Sequence, residues 1–247
     1  MFKIIFFFFI SVSLFATSLN IAVAANVSYA LPSLIKEFNK QYPNIKVDTT
    51  IGSSGKLTAQ ILYKAPYDIF LSANMKYPQK LYIEHLTLTK PIVYANGSVV
   101  LLSNKLNLND TIENILKNPT IKKIAIANDK TAPYGVAAKQ ILQNLKLYNK
   151  LKSKFIYGES ISTTFRYTLN MADIGFIAKS ALFSPKLLKY KHQLVWKEID
   201  KSLYTPIQQG VVILQHGKNK KGVKEFYDFL LSKKAKQILN TFGYDTK

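Results

Sequence analysis

Residues 19–38 read LNIAVAANVSYALPSLIKEF and combine a strand, a turn and a helix. Residues 19–25 are a short apolar run with β-branched members, which predicts a buried strand. The next apolar residues recur at the spacing of one helix face: Leu31, Leu34, Ile35 and Phe38. Asn26 or Ser28 is the expected N-cap of this helix, because either side chain can accept a hydrogen bond from its first N–H groups. A strand that leads directly into a helix is typical of an α/β sheet.

The same succession continues along the first part of the chain. Residues 45–50 alternate as a strand, and the small-residue turn Gly52-Ser53-Ser54-Gly55 follows. The apolar spacing after this turn predicts a second helix, and residues 68–72 predict a third strand. The order β-α-β-α-β indicates a parallel sheet with crossover helices.

A second α/β unit follows a strand-like stretch at 92–103. Buried strands are predicted at 124–127, 154–157 and 173–178, with helices between them. A further strand is expected at 208–215, and apolar spacing predicts helices at the C-terminus. The chain therefore contains two α/β units, with no sequence repeat and no low-complexity linker.

The composition limits the partners of the protein. Apolar residues make up 48% of the 247 residues and charged residues 19%, which is typical of a folded chain. The net charge is +20, but Arg166 is the single arginine and the lysines are spread along the whole chain. Because arginine is the better ligand of phosphates and base edges, no nucleic-acid partner is expected. The absence of cysteine excludes disulfides, thiolate metal sites and a lipid-modified N-terminal cysteine.

Residues 1–18 have the pattern of a secretory signal peptide. Lys3 precedes an apolar run, and Ala16-Thr17-Ser18 supplies small residues for cleavage after Ser18. The alternative is an uncleaved anchor helix, for which the run is short. The mature protein is expected to be exported and soluble. Without a lipid anchor, it needs an outer barrier to stay near the cell, which favours the periplasm.

Sequence motifs of catalysis are missing from the chain. His85, His192 and His216 are far apart and lack the spacing of metal ligands. There is no Walker loop, no G-x-G-x-x-G and no G-x-S-x-G motif. The acidic residues include no pair that suggests a general acid with a raised pKa. We therefore expect neither an enzyme nor a bound cofactor, and no direct ligands to a metal.

Four predicted strands lead into small or polar turns that begin helices. These turns lie at 25–28, 52–55, 132–135 and 160–162. The first N–H groups of a helix have no intrahelical partner, and ligands of open α/β sheets bind at this edge. Helix N-termini favour anions, so four such turns predict an anion-binding cleft. The alternative is that Asn26, Ser54 and Ser162 are simple helix caps.

The residue types in these turns limit the kind of anion. The turns contain hydrogen-bond donors but neither a carboxylate nor a basic side chain. A protonated oxyanion such as hydrogen phosphate carries an O–H that requires an acceptor, whereas a fully ionised tetrahedral dianion only accepts hydrogen bonds. Without arginine or lysine, selectivity depends on the size of the cavity and the placement of the donors.

Several segments resemble, in order, the periplasmic molybdate-binding proteins of ABC transporters, the ModA family. They are VAANVSYALPSLIKEF, IGSSGKLTAQI, APYDIFLSAN, APYGVAAKQIL, MADIGFIAKSAL and the C-terminal AKQILNTFGY. The resemblance covers the mature chain. It implies a two-lobed periplasmic binding protein of the type II kind, with a cleft that closes on molybdate or tungstate. It also implies a monomer that delivers the ion to a membrane permease.

The resemblance also implies the residues that bind the ion. Asn26 is expected to donate through its side chain and main chain, and Ser54 through its hydroxyl. Tyr134 and Ile161 are expected to donate through their main-chain N–H groups. Some members of the family add a tyrosine hydroxyl where this sequence has Ala178. Asp68 also matches a recurrent family position, and we interpret it as a structural cap or turn residue.

The expected organisation is a first lobe of residues 19–93 plus 206–247 and a second lobe of residues 94–205. The chain is expected to cross between them near 94–98 and 205–209, which would form a hinge. Two alternatives to the molybdate hypothesis stay open. One is the same fold with another anion such as sulfate, and the other is an exported enzyme that acts on an acidic substrate.

Overall fold

The computed structural model describes residues 17–185, 187 and 194–246. The strands in this part of the chain are β1 (Thr17–Ala24), β2 (Ile45–Gly52), β3 (Ile69–Ser72), β4 (Ile92–Gly97), β5 (Val99–Ser103), β6 (Ile124–Ala127), β7 (Phe155–Gly158), β8 (Ile174–Ala178), β9 (Val195–Glu198) and β10 (Ile207–Ile213). The α-helices are α1 (Leu31–Gln41), α2 (Ser54–Leu62), α3 (Lys76–Ile83), α4 (Ile112–Lys117), α5 (Pro133–Asn144), α6 (Tyr148–Leu151), α7 (Ile161–Asn170), α8 (Val223–Leu231) and α9 (Lys233–Thr241).

The first sheet has the strand order β2-β1-β3-β10-β4. Strand β1 pairs in parallel with β2 and β3, as the β-α-β-α-β pattern predicts, and β10 pairs antiparallel with β3 and β4. Both faces are covered. Leu19, Ile21 and Val23 pack into a cluster with apolar residues of α1, α8 and α9. Ala22 points to the other face, where apolar residues of α2 and α3 pack. Burial on both faces explains the nearly continuous apolar run of β1.

The second sheet repeats this design with the order β7-β6-β8-β5-β9. Strand β6 pairs in parallel with β7 and β8, and β5 pairs antiparallel with β8 and β9. Apolar residues of α4 and α5 pack on one face. Phe165 and Leu169 of α7 pack on the other face, against Val100 and Ile177. The prediction of two α/β lobes is thus confirmed, and the antiparallel pairs of each sheet lie on the side where the chain passes between the lobes.

The chain passes between the two lobes twice, first through a short connection and then through a longer one. Strand β4 stays in the first sheet as far as Gly97, and β5 begins the second sheet at Val99, so Ser98 alone separates them. Residues 94–97 are therefore paired in the first sheet, beyond the expected boundary at residue 93. The chain returns to the first lobe between the end of β9 and the start of β10. Within β10, the pairing with β4 shifts register between Gln209 and Gly210.

The N-terminal strand begins before the expected mature start. Thr17 and Ser18 pair with Ile45 and Lys46 as the first two steps of the β1–β2 ladder. Cleavage after Ser18 would remove both pairs. The rest of the expected signal peptide, residues 1–16, lies outside the described residues. Within the described part of the chain, no helix combines the length and the apolar content that crossing a bilayer requires.

Candidate functional site

The four predicted turns meet around one cavity between the lobes. Its volume is about 10 Å³, roughly the room that one water molecule needs. Its lining comes from all four turns and from the residue after β3: Ala24, Ala25, Asn26, Ser53, Ser54, Ala73, Ala132, Pro133, Tyr134 and Ile161. The structure therefore brings together every residue that the sequence predicted as a ligand contact.

Two larger cavities, of about 470 and 560 Å³, and a third of about 180 Å³ lie elsewhere among the described residues. The first lies beside β4 and the start of β10, and the second beside β9 and residues 182–187. Neither of the two larger cavities has a lining that includes the start of an α-helix. We therefore place the candidate site at the small cavity, where the chemistry for an anion is concentrated.

Helix starts supply most of the donors around this cavity. Ser54 and Ile161 are the first residues of α2 and α7, and Tyr134 is the second residue of α5. A short 3₁₀ helix, Ala25–Tyr29, contributes the fourth start. The first N–H groups of each helix have no intrahelical acceptor, and the helix dipoles place partial positive charge at the same ends. The arrangement favours an anion at the point where the four ends meet.

The Ser54 hydroxyl is oriented by the protein. Its Oγ accepts a hydrogen bond of 2.9 Å from the N–H of Ala73, and Ser54 is buried. Because this bond uses a lone pair of the oxygen, the hydroxyl hydrogen remains available to donate. Ser54 does not cap its helix, since the cap position of α2 belongs to Ser53. The simple capping interpretation is therefore wrong for Ser54.

Asn26 is fully buried at the centre of a polar network, and its amide is not free. Its Nδ2 donates to Oε1 of Gln209 and to the hydroxyl of Tyr244, both at 2.8 Å. Gln209 is held in this orientation because its own Nε2 donates to the carbonyl of Ile207. The carbonyl of Asn26 accepts from Tyr244 and from Ser180, each at 2.9 Å.

These contacts correct one expectation about Asn26 and bear on a second. The residue is not the N-cap of α1, because the 3₁₀ helix intervenes and α1 begins after Ala30 without a side-chain cap. Ser28, the other expected cap, donates to the carbonyl of Ala25 instead. Both hydrogens of the Asn26 amide are used within this network, so the predicted side-chain donation to a ligand would require one of these bonds to be exchanged. Its Oδ1 is a buried acceptor without a partner, so the main-chain N–H is the donor that Asn26 retains.

Tyr134 links the start of α5 to the crossing strands. Its hydroxyl lies 3.4 Å from Nδ2 of Asn26 and packs so tightly on Gly97 that a Cβ there would lie 2.2 Å from the phenolic oxygen. Burial raises the pKa of Tyr134 well above its ordinary value. The side chain is therefore neutral at physiological pH and is directed to the hinge, which leaves the main-chain N–H for the cavity.

The start of α7 is capped and tied to the other lobe. Ser160 accepts from the N–H of Thr163 and is the true cap of this helix. The hydroxyl of Ser162, which could have been a cap, donates to the carbonyl of Ala25 across the cleft at 3.0 Å. Ile161, between the two serines, lines the cavity with its backbone at the first helical position.

Further hydrogen bonds across the cleft show that the lobes are closed. The N–H of Gly55 donates to the carbonyl of Thr131 at 2.9 Å, and the hydroxyl of Tyr77 donates to the carbonyl of Lys130 at 3.3 Å. Lys56 and Glu159 form an exposed ion pair at 3.8 Å over the same rim. Gly55 and Lys56 directly follow Ser54, and Lys130 and Thr131 shortly precede α5, so lobe closure and site geometry are coupled.

The lining of the cavity contains no charged side chain, as the sequence of the turns predicts. Tyr134 is the only lining residue whose side chain titrates, and it is neutral. The donors are main-chain N–H groups and serine hydroxyls. This set accepts a ligand that offers only hydrogen-bond acceptors.

Asp68 lies at the opposite end of β3 from Ala73 and does not reach the cavity. Its fully buried carboxylate accepts from the N–H of Asn20, forms an ion pair of 2.7 Å with Lys220 and lies at hydrogen-bond distance, 2.7 Å, from Nδ1 of His216. It is thus a structural anchor for the segment before α8. Ala178 is buried in β8 opposite Val99 and offers no side-chain donor.

The two histidines in the described part of the chain do not contribute to the candidate site. His85 and His216 are outside its lining, and His192 lies outside the described residues. Across the part of the chain that the structure describes, no group of three or more histidine and acidic side chains could hold a metal ion. Five residues of the site were not predicted from the sequence: Ser53, Ala73, Gln209, Ser180 and Tyr244. Of these, only Ser53 lies in one of the four turns that the sequence indicated.

Two α/β lobes that close on a cavity lined by the first residues of several helices are the architecture of a solute-binding protein. A sequence profile of bacterial extracellular solute-binding proteins matches residues 19–245. The molybdate-binding protein ModA of Azotobacter vinelandii is 35% identical over 231 residues, covering 93% of this chain and 90% of that protein. ModA of Rhodobacter capsulatus is 32% identical over 234 residues, covering 92% and 87%.

The solved structures agree with these relatives. The structure of the Azotobacter vinelandii periplasmic molybdate-binding protein matches with a TM-score of 0.85 at 31% identity, covering 93% of this chain and 99% of that one. The chain therefore belongs to the bacterial extracellular solute-binding proteins and, among them, to the ModA family.

Proposed function

We propose that this protein captures molybdate or tungstate by neutral hydrogen-bond donors and delivers it to the permease of an ABC transporter. It does so as a monomer in the periplasm, after removal of its signal peptide and without a cofactor. The names of the relatives, molybdate-binding proteins of two other bacteria, support the ligand. Membership of an extracellular solute-binding family supports export and transport.

The observation that carries the proposal is the donor set of the cavity. The main-chain N–H groups of Asn26, Tyr134 and Ile161, with the N–H and hydroxyl of Ser54, converge from four helix starts. Molybdate and tungstate are fully ionised dianions near neutral pH and only accept hydrogen bonds. The lining provides no carboxylate, the strongest kind of acceptor for the O–H of a protonated phosphate.

Cavity size discriminates among the dianions. The metal–oxygen bonds of molybdate and tungstate are longer than the sulfur–oxygen bonds of sulfate. Within each lobe the sheet fixes the donors relative to one another, so they cannot move individually to follow a smaller ion. The closed lobes leave room for about one water, so we expect them to stand slightly further apart around a tetrahedral oxyanion.

No catalytic group in the lining of the cavity supports the alternative of an exported enzyme. A hydrolase or transferase would need an acid, a base or an activated nucleophile beside its substrate. The lining offers serine hydroxyls without a histidine, lysine or carboxylate next to them. The alternative of a sulfate-binding protein with the same fold is decided by measurement.

The experiment is calorimetry of the purified mature protein against molybdate, tungstate, sulfate and phosphate. Tight one-to-one binding of molybdate or tungstate, with sulfate and phosphate much weaker, is the expected result. Sulfate binding of comparable affinity would contradict the proposed ligand. The chromatographic mass of the loaded protein tests the proposed monomer in the same sample.

A further inference from the structure

Ser53 occupies the N-cap position of α2 but does not act as a cap. Its backbone is extended, with φ −69° and ψ 147°, as a cap requires, yet its hydroxyl accepts no hydrogen bond from the helix. The other hydroxyl residues at cap positions behave differently. Thr111, Ser160 and Ser232 each accept from the N–H three residues later. The Ser53 hydroxyl is therefore directed away from the usual partner.

This hydroxyl has no hydrogen-bond partner among the described residues. Ser53 is only 6% exposed, and it lines the cavity between the lobes beside Ser54. Hydroxyl hydrogens rotate freely about the C–O bond, so a ligand in the cavity can receive this one without any backbone movement.

The two serines of the turn differ in how they are held. Ser54 is fixed by the N–H of Ala73, while Ser53 has no such restraint. We propose that the Ser53 hydroxyl donates directly to an oxygen of the bound oxyanion. This inference rests on the proposed function for the identity of the anion. It also supplies a side-chain donor in a site where Ala178 offers none.

The test compares two variants that remove the hydroxyl. The affinities of Ser53→Ala and Ser53→Gly for molybdate are measured by calorimetry. The melting temperatures of the ligand-free proteins are measured by thermal denaturation. A hydrogen bond to a charged group contributes about 1.5–3 kcal/mol, so both variants are expected to bind about tenfold to a hundredfold more weakly. Because no cap bond is lost, the melting temperature of the ligand-free Ser53→Ala protein is expected to stay close to that of the wild type.

Ser232→Ala is the matched control, because it removes a serine that does cap its helix, through the N–H of Ala235 at 3.2 Å, and that does not line the cavity. It is expected to lower the melting temperature and to leave molybdate affinity unchanged. Wild-type affinity in either Ser53 variant overturns the inference. A fall in melting temperature like that of Ser232→Ala, without a loss of affinity, also overturns it. If the wild-type protein itself binds no oxyanion, the proposed function fails instead, so the two failures are distinct.

Discussion

The hydroxyl of Tyr244 makes two hydrogen bonds to Asn26: it accepts from the side-chain Nδ2 at 2.8 Å and donates to the main-chain carbonyl at 2.9 Å. Both residues are buried, although 218 positions separate them in the chain. The C-terminal segment thus holds the turn from which the first helix start of the site projects. Ser180 of the second lobe donates to the same carbonyl, so the turn is also held across the cleft.

Tyr244→Phe is expected to weaken both folding and ligand binding. The substitution keeps the ring in place but leaves Nδ2 of Asn26 with one partner fewer in a buried site. We expect the free energy of unfolding to fall by about 1–3 kcal/mol. Molybdate binding is expected to weaken as well, because the main-chain N–H of Asn26 loses its support. Urea denaturation and calorimetry measure the two effects.

Tyr63→Phe is the control for this experiment. Tyr63 is 89% exposed, so its hydroxyl is solvated in the folded and unfolded states alike. Neither stability nor affinity should change in that variant. A Tyr244→Phe protein that matches Tyr63→Phe in both measurements would show that the network does not position Asn26.

Ser54→Ala is expected to lower molybdate affinity about tenfold to a hundredfold, because a donor to a charged ligand is lost. The N–H of Ala73 also loses its acceptor, so a moderate loss of stability is expected as well. Calorimetry at one pH and salt concentration gives the affinity. Ser153→Ala, at an exposed serine of the second lobe, is the control and should bind like the wild type. Unchanged affinity in Ser54→Ala would remove Ser54 from the site.

Gly55→Ala separates lobe closure from the stability of the protein. A Cβ at Gly55 would lie 3.0 Å from the backbone of Thr131 on the opposite lobe and 2.7 Å from the hydroxyl of Tyr77. Alanine favours a helix more than glycine does, so the ligand-free protein should be as stable or more stable. Crowding of the closed form costs about 1–3 kcal/mol, and affinity should fall accordingly.

The control for closure is Lys56→Ala, which removes the exposed ion pair with Glu159. Such pairs contribute little, so its affinity should remain within about twofold of the wild type. Small-angle scattering of both variants with molybdate reports the compactness of the loaded form. A Gly55→Ala protein that closes and binds like the wild type would show that the contact with Thr131 does not limit closure.

Binding is expected to be flat from about pH 6 to pH 8, the range in which a histidine changes charge. Tyr134 is the only residue lining the cavity that has a titratable side chain, and burial raises the pKa of that tyrosine well above its ordinary value. Burial raises the pKa of Tyr244 too. Both residues stay neutral across this range. Calorimetry at three pH values checks this expectation, and a tenfold change in affinity would mean that a titrating group reaches the ion.

The same tyrosines predict a loss of stability at alkaline pH. Above about pH 10 the unfolded chain releases its phenolic protons while the native state retains those of Tyr134 and Tyr244. The unfolded state then binds fewer protons than the native state, so the free energy of unfolding falls as pH rises. Urea denaturation at a series of alkaline pH values measures this slope.

The sequence predicts the parts of the fold that depend on local pattern. The apolar run of β1 and the spacing in α1 are strong signals, because both faces of β1 and one face of α1 are buried. Helix α3 and strand β9 were not predicted. Helix α3 begins after Met75 without a side-chain cap, and β9 is an edge strand with two exposed residues, so neither has a sharp local signature.

The polar contacts of the site could be predicted only in part. The four turns are local features, and the sequence located them. The choice between a capping and a non-capping role for Asn26 depends on Gln209 and Tyr244, which fold next to it from distant parts of the chain. Ser53 shows the same limit, because its missing cap bond is visible only in three dimensions.

The most direct test of the central claim is a competition measurement. Molybdate is titrated by calorimetry into the mature protein in the presence of a large excess of sulfate at constant ionic strength. If rigid neutral donors select a fully ionised metal oxyanion by its size, the affinity for molybdate is unchanged by sulfate. A large drop in apparent affinity, of the size that simple competition requires, would show that sulfate occupies the same site and would contradict the account.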